Sequence, residues 1–286
     1  MLSIDTIKAK YRHRDVSPYA DSSFLESLAL SYHENSKFSF WDAMQQGIKA
    51  EEYNNPYINS RASKPYKVYP NVPMIQLDRY AGFKPEQANV FELLQNRRST
   101  RQFQSYQISL NELQQLLHHA YGITRRVSEA AREGALPIEW GWRSVPSAGG
   151  LYPLELYPVL INAQVPAGLY HYRPDCNALE VLDESLDFEQ FEKVSNASTF
   201  INSASASLAL VITGVFERTF IKYQERAYRF VLQESGEVLQ NLSILSEALG
   251  LGSCIIGGFL DEGLNEVIGV DGVFESTLGV IYIGKK

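Results

Sequence analysis

Five of the 12 prolines in this 286-residue chain fall between Pro56 and Pro85, namely Pro56, Pro65, Pro70, Pro73 and Pro85. Proline lacks an amide donor and fixes φ, so it interrupts helix interiors and central strands. The cluster therefore divides the chain into three zones. Residues 1 to about 52 read as helical, with one helix near 22–33 and another near 40–51, where Phe40, Ala43, Met44 and Ile48 recur at helical spacing. Over 53–85 the expectation is an extended segment. Tyr57, Tyr66, Tyr69, Met74, Tyr80 and Phe83 make it too apolar for a free linker, so it should lie along a surface, with a partner subunit as one choice.

From about Gln87 the pattern is mixed helix and strand. A short helix ends at Asn96. Ser109-Leu110-Asn111-Glu112 is a capping box that opens a helix through Leu113, Leu116, Leu117 and Ala120, stopped by Gly122. Strands are expected at 155–162, 168–173, 179–182 and 206–215. A long helix follows over 216–249, with Gly236 its only interruption, and then short apolar runs at 253–256 and 277–283 typical of buried strands. The division is thus an N-terminal segment, 1–85, and a larger domain, 86–286.

Charge and cysteine usage remove several classes. Lys plus Arg is 26 against 33 Asp plus Glu, a net charge of −7, which opposes non-specific nucleic-acid binding. Cys176 and Cys254 lie far apart and give neither a disulfide framework nor a zinc pattern. No stretch approaches the roughly 20 apolar residues that span a bilayer. Lys8, Lys10, Arg12 and Arg14 precede no apolar core, so no secretory signal is expected and the location is read as cytoplasmic.

Four motifs could carry chemistry. Asn96-Arg97-Arg98-Ser99-Thr100-Arg101-Gln102-Phe103 groups three guanidiniums and two hydroxyls, a donor set for one phosphate or, failing that, a solvated basic turn. In Pro146-Ser147-Ala148-Gly149-Gly150-Leu151-Tyr152-Pro153, small residues let the backbone approach a ligand closely, or simply make a tight turn. Val145 stands where a nucleophile elbow needs glycine. Lys222 and Tyr223 are proton-transfer groups on a helix that otherwise reads as charged and solvent-facing. Adjacent helical residues point about 100° apart, so these two can serve one centre only at a helix end or an irregular turn.

The fourth motif, Gly250-Leu251-Gly252, follows a helix and precedes a strand, the reverse of a dinucleotide fingerprint. Gly257 and Gly258, after the strand, are better placed to approach a ligand. His118 and His119 have no metal-ligand spacing around them, so no metal site is expected.

Together and in this order the motifs resemble the nitroreductase-like flavin fold. Within it they are similar to the azoline dehydrogenases of peptide natural-product clusters, the streptolysin-, microcin- and cyanobactin-type oxidases. The matching stretches are Tyr32-His33-Glu34-Asn35-Ser36-Lys37, Arg97 to Phe103, Pro146 to Glu155, Gly168-Leu169-Tyr170-His171-Tyr172, Lys222-Tyr223 with Arg226, and Gly250-Leu251-Gly252. The resemblance runs from about Ser27 to the C-terminus. It implies an α+β fold with a central, mainly antiparallel sheet flanked by helices, a helical and extended N-terminal extension, and an entwined homodimer. FMN would sit at the subunit interface. Its phosphate would fall on Arg97, Arg98, Ser99 and Arg101, and its ring and partner contacts on Pro146, Ser147, Ala148, Gly149 and Gly150. Gly257, Gly258 and Lys285 would add further contacts, and Lys222 and Tyr223 would be the catalytic pair.

The implied reaction takes two hydrogens from a thiazoline or oxazoline ring in a ribosomal peptide and leaves the aromatic azole. A side-chain base takes the ring proton beside the carbonyl, hydride passes to flavin N5, and oxygen reoxidises the flavin. The implied partners are the peptide and a cyclodehydratase complex. Two rivals stand beside this. One is an FMN oxidoreductase on another substrate, such as a nitro or quinone compound or a carrier-bound intermediate, although bare hydride transfer needs no Lys-Tyr pair. The other is a flavin-free scaffold of a peptide-modifying complex, which has no physical need for a phosphate cluster.

Overall fold

Leu208, Leu210 and Ile212 enter one apolar cluster, while Ala209 and Val211 between them enter another. The same split separates Leu156 and Leu160 from Tyr157 and Val159, and Ile281 and Ile283 from Val280 and Tyr282. Side chains of a strand alternate between faces, so such strands must be covered on both sides. The computed structural model describes residues 27–38, 56–77, 89–129 and 138–286, with isolated positions among 3–6 and 40–44. Its helices are α1 (Leu28–Asn35), α2 (Pro56–Ala62), α3 (Val90–Asn96), α4 (Leu110–Tyr121), α5 (Phe188–Ser195), α6 (Glu217–Tyr223), α7 (Ala227–Ala248) and α8 (Asp261–Ile268). Its strands are β1 (Met74–Gln76), β2 (Ile123–Glu129), β3 (Ile138–Arg143), β4 (Leu154–Leu160), β5 (Gly168–Arg173), β6 (Ala178–Asp183), β7 (Leu208–Val215), β8 (Leu251–Ile256) and β9 (Glu275–Lys285).

Seven strands form one sheet in the order β1-β6-β5-β4-β7-β9-β8. Every neighbouring pair is antiparallel. One face is covered by α4 and α7 through Leu113, Leu116, Leu117, Val231, Val238 and Leu242. The other is covered by α5 and α8 through Phe191, Val194, Leu264 and Ile268. This is the expected α+β architecture. The Ser109–Glu112 capping box forms as read, with both reciprocal bonds present. Strands β2 and β3 make a separate antiparallel ribbon, which the sequence reading left unassigned. Among the described residues no helix is long and apolar enough to cross a membrane.

Two expectations are corrected. The extended segment over 53–85 is helical at Pro56–Ala62, because proline at a first helical position has the right φ and no amide to satisfy. The long helix breaks at Gln224 (φ 51°, ψ −138°), not at Gly236, which lies inside α7 with open space where a Cβ would sit. Most of the helix expected at 40–51 lies outside the described residues, as do Tyr80, Phe83 and Pro85. Residues 63–77 do run along a surface, that of the chain's own sheet, and Met74–Gln76 becomes its edge strand.

A buried charged cluster holds this segment down. Glu155 on β4 accepts the Lys67 backbone N–H (2.7 Å) and the Arg218 guanidinium through Oε1, and meets His171 Nε2 (3.0 Å) through Oε2. His171 Nδ1 meets Glu180 on β6 (2.7 Å), which also accepts the Tyr69 backbone N–H. Lys67 Nζ donates to Glu275 (2.7 Å) and Tyr157 Oη (3.0 Å). Burial opposes ionisation of Glu155, but Arg218 and His171 overcome it and hold the carboxyl down at about 2. Burial likewise opposes the His171 cation, yet its two carboxylates raise its proton affinity.

A carboxyl whose folded value is depressed contributes stability above its ordinary value near 4.5, and loses it as pH falls toward 2. Glu155→Gln leaves the Arg218 guanidinium without its carboxylate and takes one of the two carboxylates from His171, and is expected to cost about 3–5 kcal/mol at neutral pH. It should also flatten the loss of stability across that acid window. Urea unfolding of both proteins at a series of pH values measures both effects; parallel pH dependences would contradict the assignment.

Candidate active site

The loop from β3 to β4 is built on unusual backbone. Gly149 (φ 66°) and Gly150 (φ 67°) occupy the left-handed region, and Tyr152 does so without the freedom of glycine (φ 41°). Support comes from beneath. The Tyr152 backbone N–H donates to Ser147 Oγ (2.9 Å), and Ser147 favours the ionised form of the buried Glu234 carboxyl on α7. Tyr121 Oη donates to Glu234 (2.6 Å) and accepts the Leu154 N–H (3.1 Å). Burial raises the Glu234 carboxyl to about 7. Ser147 therefore supports the loop from the core side.

Above the loop sits the end of α6. A Cβ placed on Gly149 would lie 2.9 Å from Lys222 Nζ and 2.9 Å from Tyr223 Oη. The two side chains converge because α6 stops at Tyr223 and the chain turns at Gln224. This is the irregular helix end that the sequence required of such a pair. Lys222 Nζ also lies 5.5 Å from the centre of the Tyr223 ring. Burial pushes the Tyr223 phenol up, so it is a neutral O–H donor at physiological pH.

A cleft of about 360 Å³ opens at this point. Gly149, Gly150, Tyr152 and Lys222 line one side, with Asn59, Ser63 and Pro65 beside them and Trp140, Gly141 and Trp142 of β3 as a further wall. The sequence reading missed that wall. Its signal was the alternation in Ile138-Glu139-Trp140-Gly141-Trp142, which places both indoles on one face of a ribbon. Arg143, next in the strand, stacks 4.2 Å from the Tyr121 ring centre and donates to Pro65 O (2.5 Å), fixing the ribbon to the cleft rim.

The arginine element lies elsewhere. Ser99 bridges Ser253 of β8, the Thr100 N–H donates to Ser253 O (2.8 Å), and the Gln104 N–H donates to Lys285 O (2.9 Å). Gly252 permits this docking, since any Cβ there would collide with the Thr100 hydroxyl. Arg98 Nη1 is committed to Gln95 O and Arg97 O (both 2.8 Å), closing the end of α3. Arg97 and the exposed Arg101 make no ion pair among the described residues. Lys285 Nζ donates to Gly250 O (3.1 Å). Gly257 borders open space, and Gly258 O accepts from Asn196 Nδ2 (2.8 Å).

The fold brings the expected residues together in two groups. Gly149, Gly150, Lys222 and Tyr223 sit where β4 begins and β7 ends, opposite Glu275 of β9. Arg97, Ser99, Arg101 and Lys285 sit at the other end of β9. At about 3.3 Å per residue, the eight steps from Glu275 to Ile283, the partner of Ser253, place the backbones of the two groups roughly 25 Å apart along the sheet.

Comparison with known proteins agrees with this architecture. The Nitroreductase family model matches residues 94–285. MJ1384 of Methanocaldococcus jannaschii, a protein named after the nitroreductases, is 32% identical over 206 residues, which are 70% of this chain and 93% of that one. The microcin B17-processing protein McbC of Escherichia coli is 28% identical over 147 residues, 50% of this chain and 54% of McbC. A nitroreductase-type structure from Anabaena variabilis has a TM-score of 0.67 at 24% identity, covering 90% of this chain and 46% of that one. The E. coli microcin synthetase McbBCD complex, with truncated pro-MccB17 bound, has a chain with a TM-score of 0.54 at 22% identity, covering 87% and 98%. Both superpositions are likenesses of fold, and this chain spans about half the length of McbC and of the Anabaena chain. On the family match across two thirds of its length and the identity to the archaeal protein, the chain belongs to the nitroreductase family.

Proposed function

We propose that this protein is an FMN-dependent dehydrogenase that oxidises thiazoline or oxazoline rings of a peptide to the aromatic azoles. The observation that carries this is the convergence of Lys222 Nζ and Tyr223 Oη on Gly149 at one cleft. A hydride acceptor alone needs no such pair, whereas removing a ring proton does. The similarity to McbC, a microcin-processing protein, points the same way.

The residues present fit FMN by donor chemistry. Arg97 and Arg101 are guanidiniums without ion-pair partners among the described residues, suited to a phosphate dianion. Gly149 and Gly150 offer a surface without side chains at the cleft. When bound, FMN supplies the two-electron acceptor. Lys222 and Tyr223 then divide the proton work: one of the two takes the ring proton beside the carbonyl, and the other donates a hydrogen bond that orients the ring. Trp140 and Trp142 shield the cleft from water on one side.

A backbone separation of roughly 25 Å along the sheet is long for one FMN within one chain, which supports a site completed by a second copy. Its phosphate residues come from one subunit, and its glycine loop with Lys222 and Tyr223 from the other. Exposed apolar side chains support such a homodimer: Phe91 and Leu94 on α3, Phe220 and Ile221 on α6, and Tyr228 and Leu232 on α7. A cyclodehydratase that forms the azoline is the natural upstream partner, and oxygen the terminal acceptor.

Purified protein should carry FMN in its visible spectrum and aromatise a synthetic thiazoline peptide. Lys222→Ala and Tyr223→Phe should keep the flavin and each lose about 10²-fold or more in kcat; loss of flavin instead would make them structural. The Arg97→Ala/Arg101→Ala double variant should release FMN on gel filtration. Mixing unfolded and refolded subunits of that double variant with Lys222→Ala should restore about a quarter of wild-type turnover, since half the dimers then hold one intact site. No recovery in a mixture shown to form heterodimers would mean that each chain holds its own site.

A further inference from the structure

We infer that Arg218 is the positioning residue for the Lys222–Tyr223 pair, an inference that rests on the catalytic reading of those two residues. Helix α6 has seven residues, fewer than two turns, and its first residue is preceded by Phe216 with no side-chain cap. So short a helix does not hold its own orientation in water. Its outer residues Phe220 and Ile221 are exposed, and downstream it ends at the strained Gln224. Something on its inner side must fix the direction in which Lys222 emerges.

Arg218 is placed to do this. It lies four residues before Lys222, on the same helical face. Its Nη2 donates to Glu155, the anchored carboxylate of β4, while its Nη1 lies 3.3 Å from both Pro65 O and Tyr152 O. Pro65 and Tyr152 are themselves walls of the cleft into which Lys222 projects. One guanidinium thus sets the separation of α6 from two walls and from the strand that follows the glycine loop. Glu155 is in turn held by His171 and the Lys67 backbone, so the anchor cannot follow α6 if it rotates. A lysine could meet one of these acceptors but not all three, because it lacks the planar fork. Misplacing a reacting group by about 1 Å can cost on the order of 10²-fold in rate.

The test compares Arg218→Gln and Arg218→Lys, each alone and combined with Lys222→Ala, on a synthetic thiazoline peptide with the FMN-loaded dimer. Arg218→Gln should lower kcat by at least about tenfold with KM within about twofold, and Arg218→Lys should recover part of the loss. In the Lys222→Ala background the loss should shrink to what misplacing Tyr223 alone costs. A second readout needs no substrate: acylation of Lys222 by an amine reagent, followed by peptide mass spectrometry with exposed Lys193 as the internal reference. In folded Arg218→Gln, Lys222 should label as fast as Lys193. Equal losses with and without Lys222, or unchanged labelling, would overturn the assignment. If Arg218→Gln fails to fold, Arg218→Lys decides by the same two readouts. A wild-type protein that leaves the thiazoline peptide untouched would count against the azoline reading, while the labelling would still decide on Arg218.

Discussion

Glu155 ties together parts of the chain that have no other reason to meet. Its two oxygens receive a strand neighbour's imidazole, a backbone amide from the 63–77 segment and the guanidinium of α6. A buried carboxylate is costly unless paired and fully hydrogen-bonded, and this one is both. The same pairing that offsets its desolvation fixes which segments lie next to β4. The proline-rich stretch is laid along the sheet at Lys67 and Tyr69, and α6 is set at the cleft. The cluster continues through Lys67 to Glu275, Tyr157 and Thr213, so charge and hydrogen bonds span five strands of the sheet beside an otherwise apolar core.

The cleft draws on that rigidity. Gly149, Gly150, Tyr152 and Gln224 all have positive φ, and all flank the point where Lys222 and Tyr223 converge. Such backbone persists only where its surroundings over-determine it. Here the Tyr152–Ser147, Leu154–Tyr121 and Tyr121–Glu234 bonds hold the loop from below, and Arg143, stacked on Tyr121 and Tyr152, holds it from the side. The layout also explains why the arginine element stands apart. It is docked on β8 and the end of β9 by backbone bonds, with Gly252 leaving room for Thr100.

Much of the fold was legible where local chemistry decides structure. The Ser109–Glu112 box needs only residues three apart, and strands β4, β5, β7 and β9 announce themselves as apolar runs bounded by Gly, Pro and Asn. The β2–β3 ribbon was not legible, because its first strand, Ile123-Thr124-Arg125-Arg126-Val127-Ser128-Glu129, is mostly polar and owes its pairing to β3. The helix at Pro56–Ala62 was hidden by reading proline only as a breaker. The break at Gln224 was hidden because glutamine favours helix; α6 stops there under tertiary constraint.

By itself the sequence determined the two-faced strands, the capped helices and the residue types able to bind an anion, approach a ring and move a proton. These follow from periodicity and side-chain chemistry, which act over a few residues. Only the tertiary structure decided that Lys222 and Tyr223 face one glycine, that Glu155 and Arg218 fix the helix carrying them, and that the arginines lie at the far end of β9. Those are contacts between residues tens to hundreds of positions apart. Their geometry is set by strand order and by which buried charges can be paired, and neither is written in any local stretch of the chain.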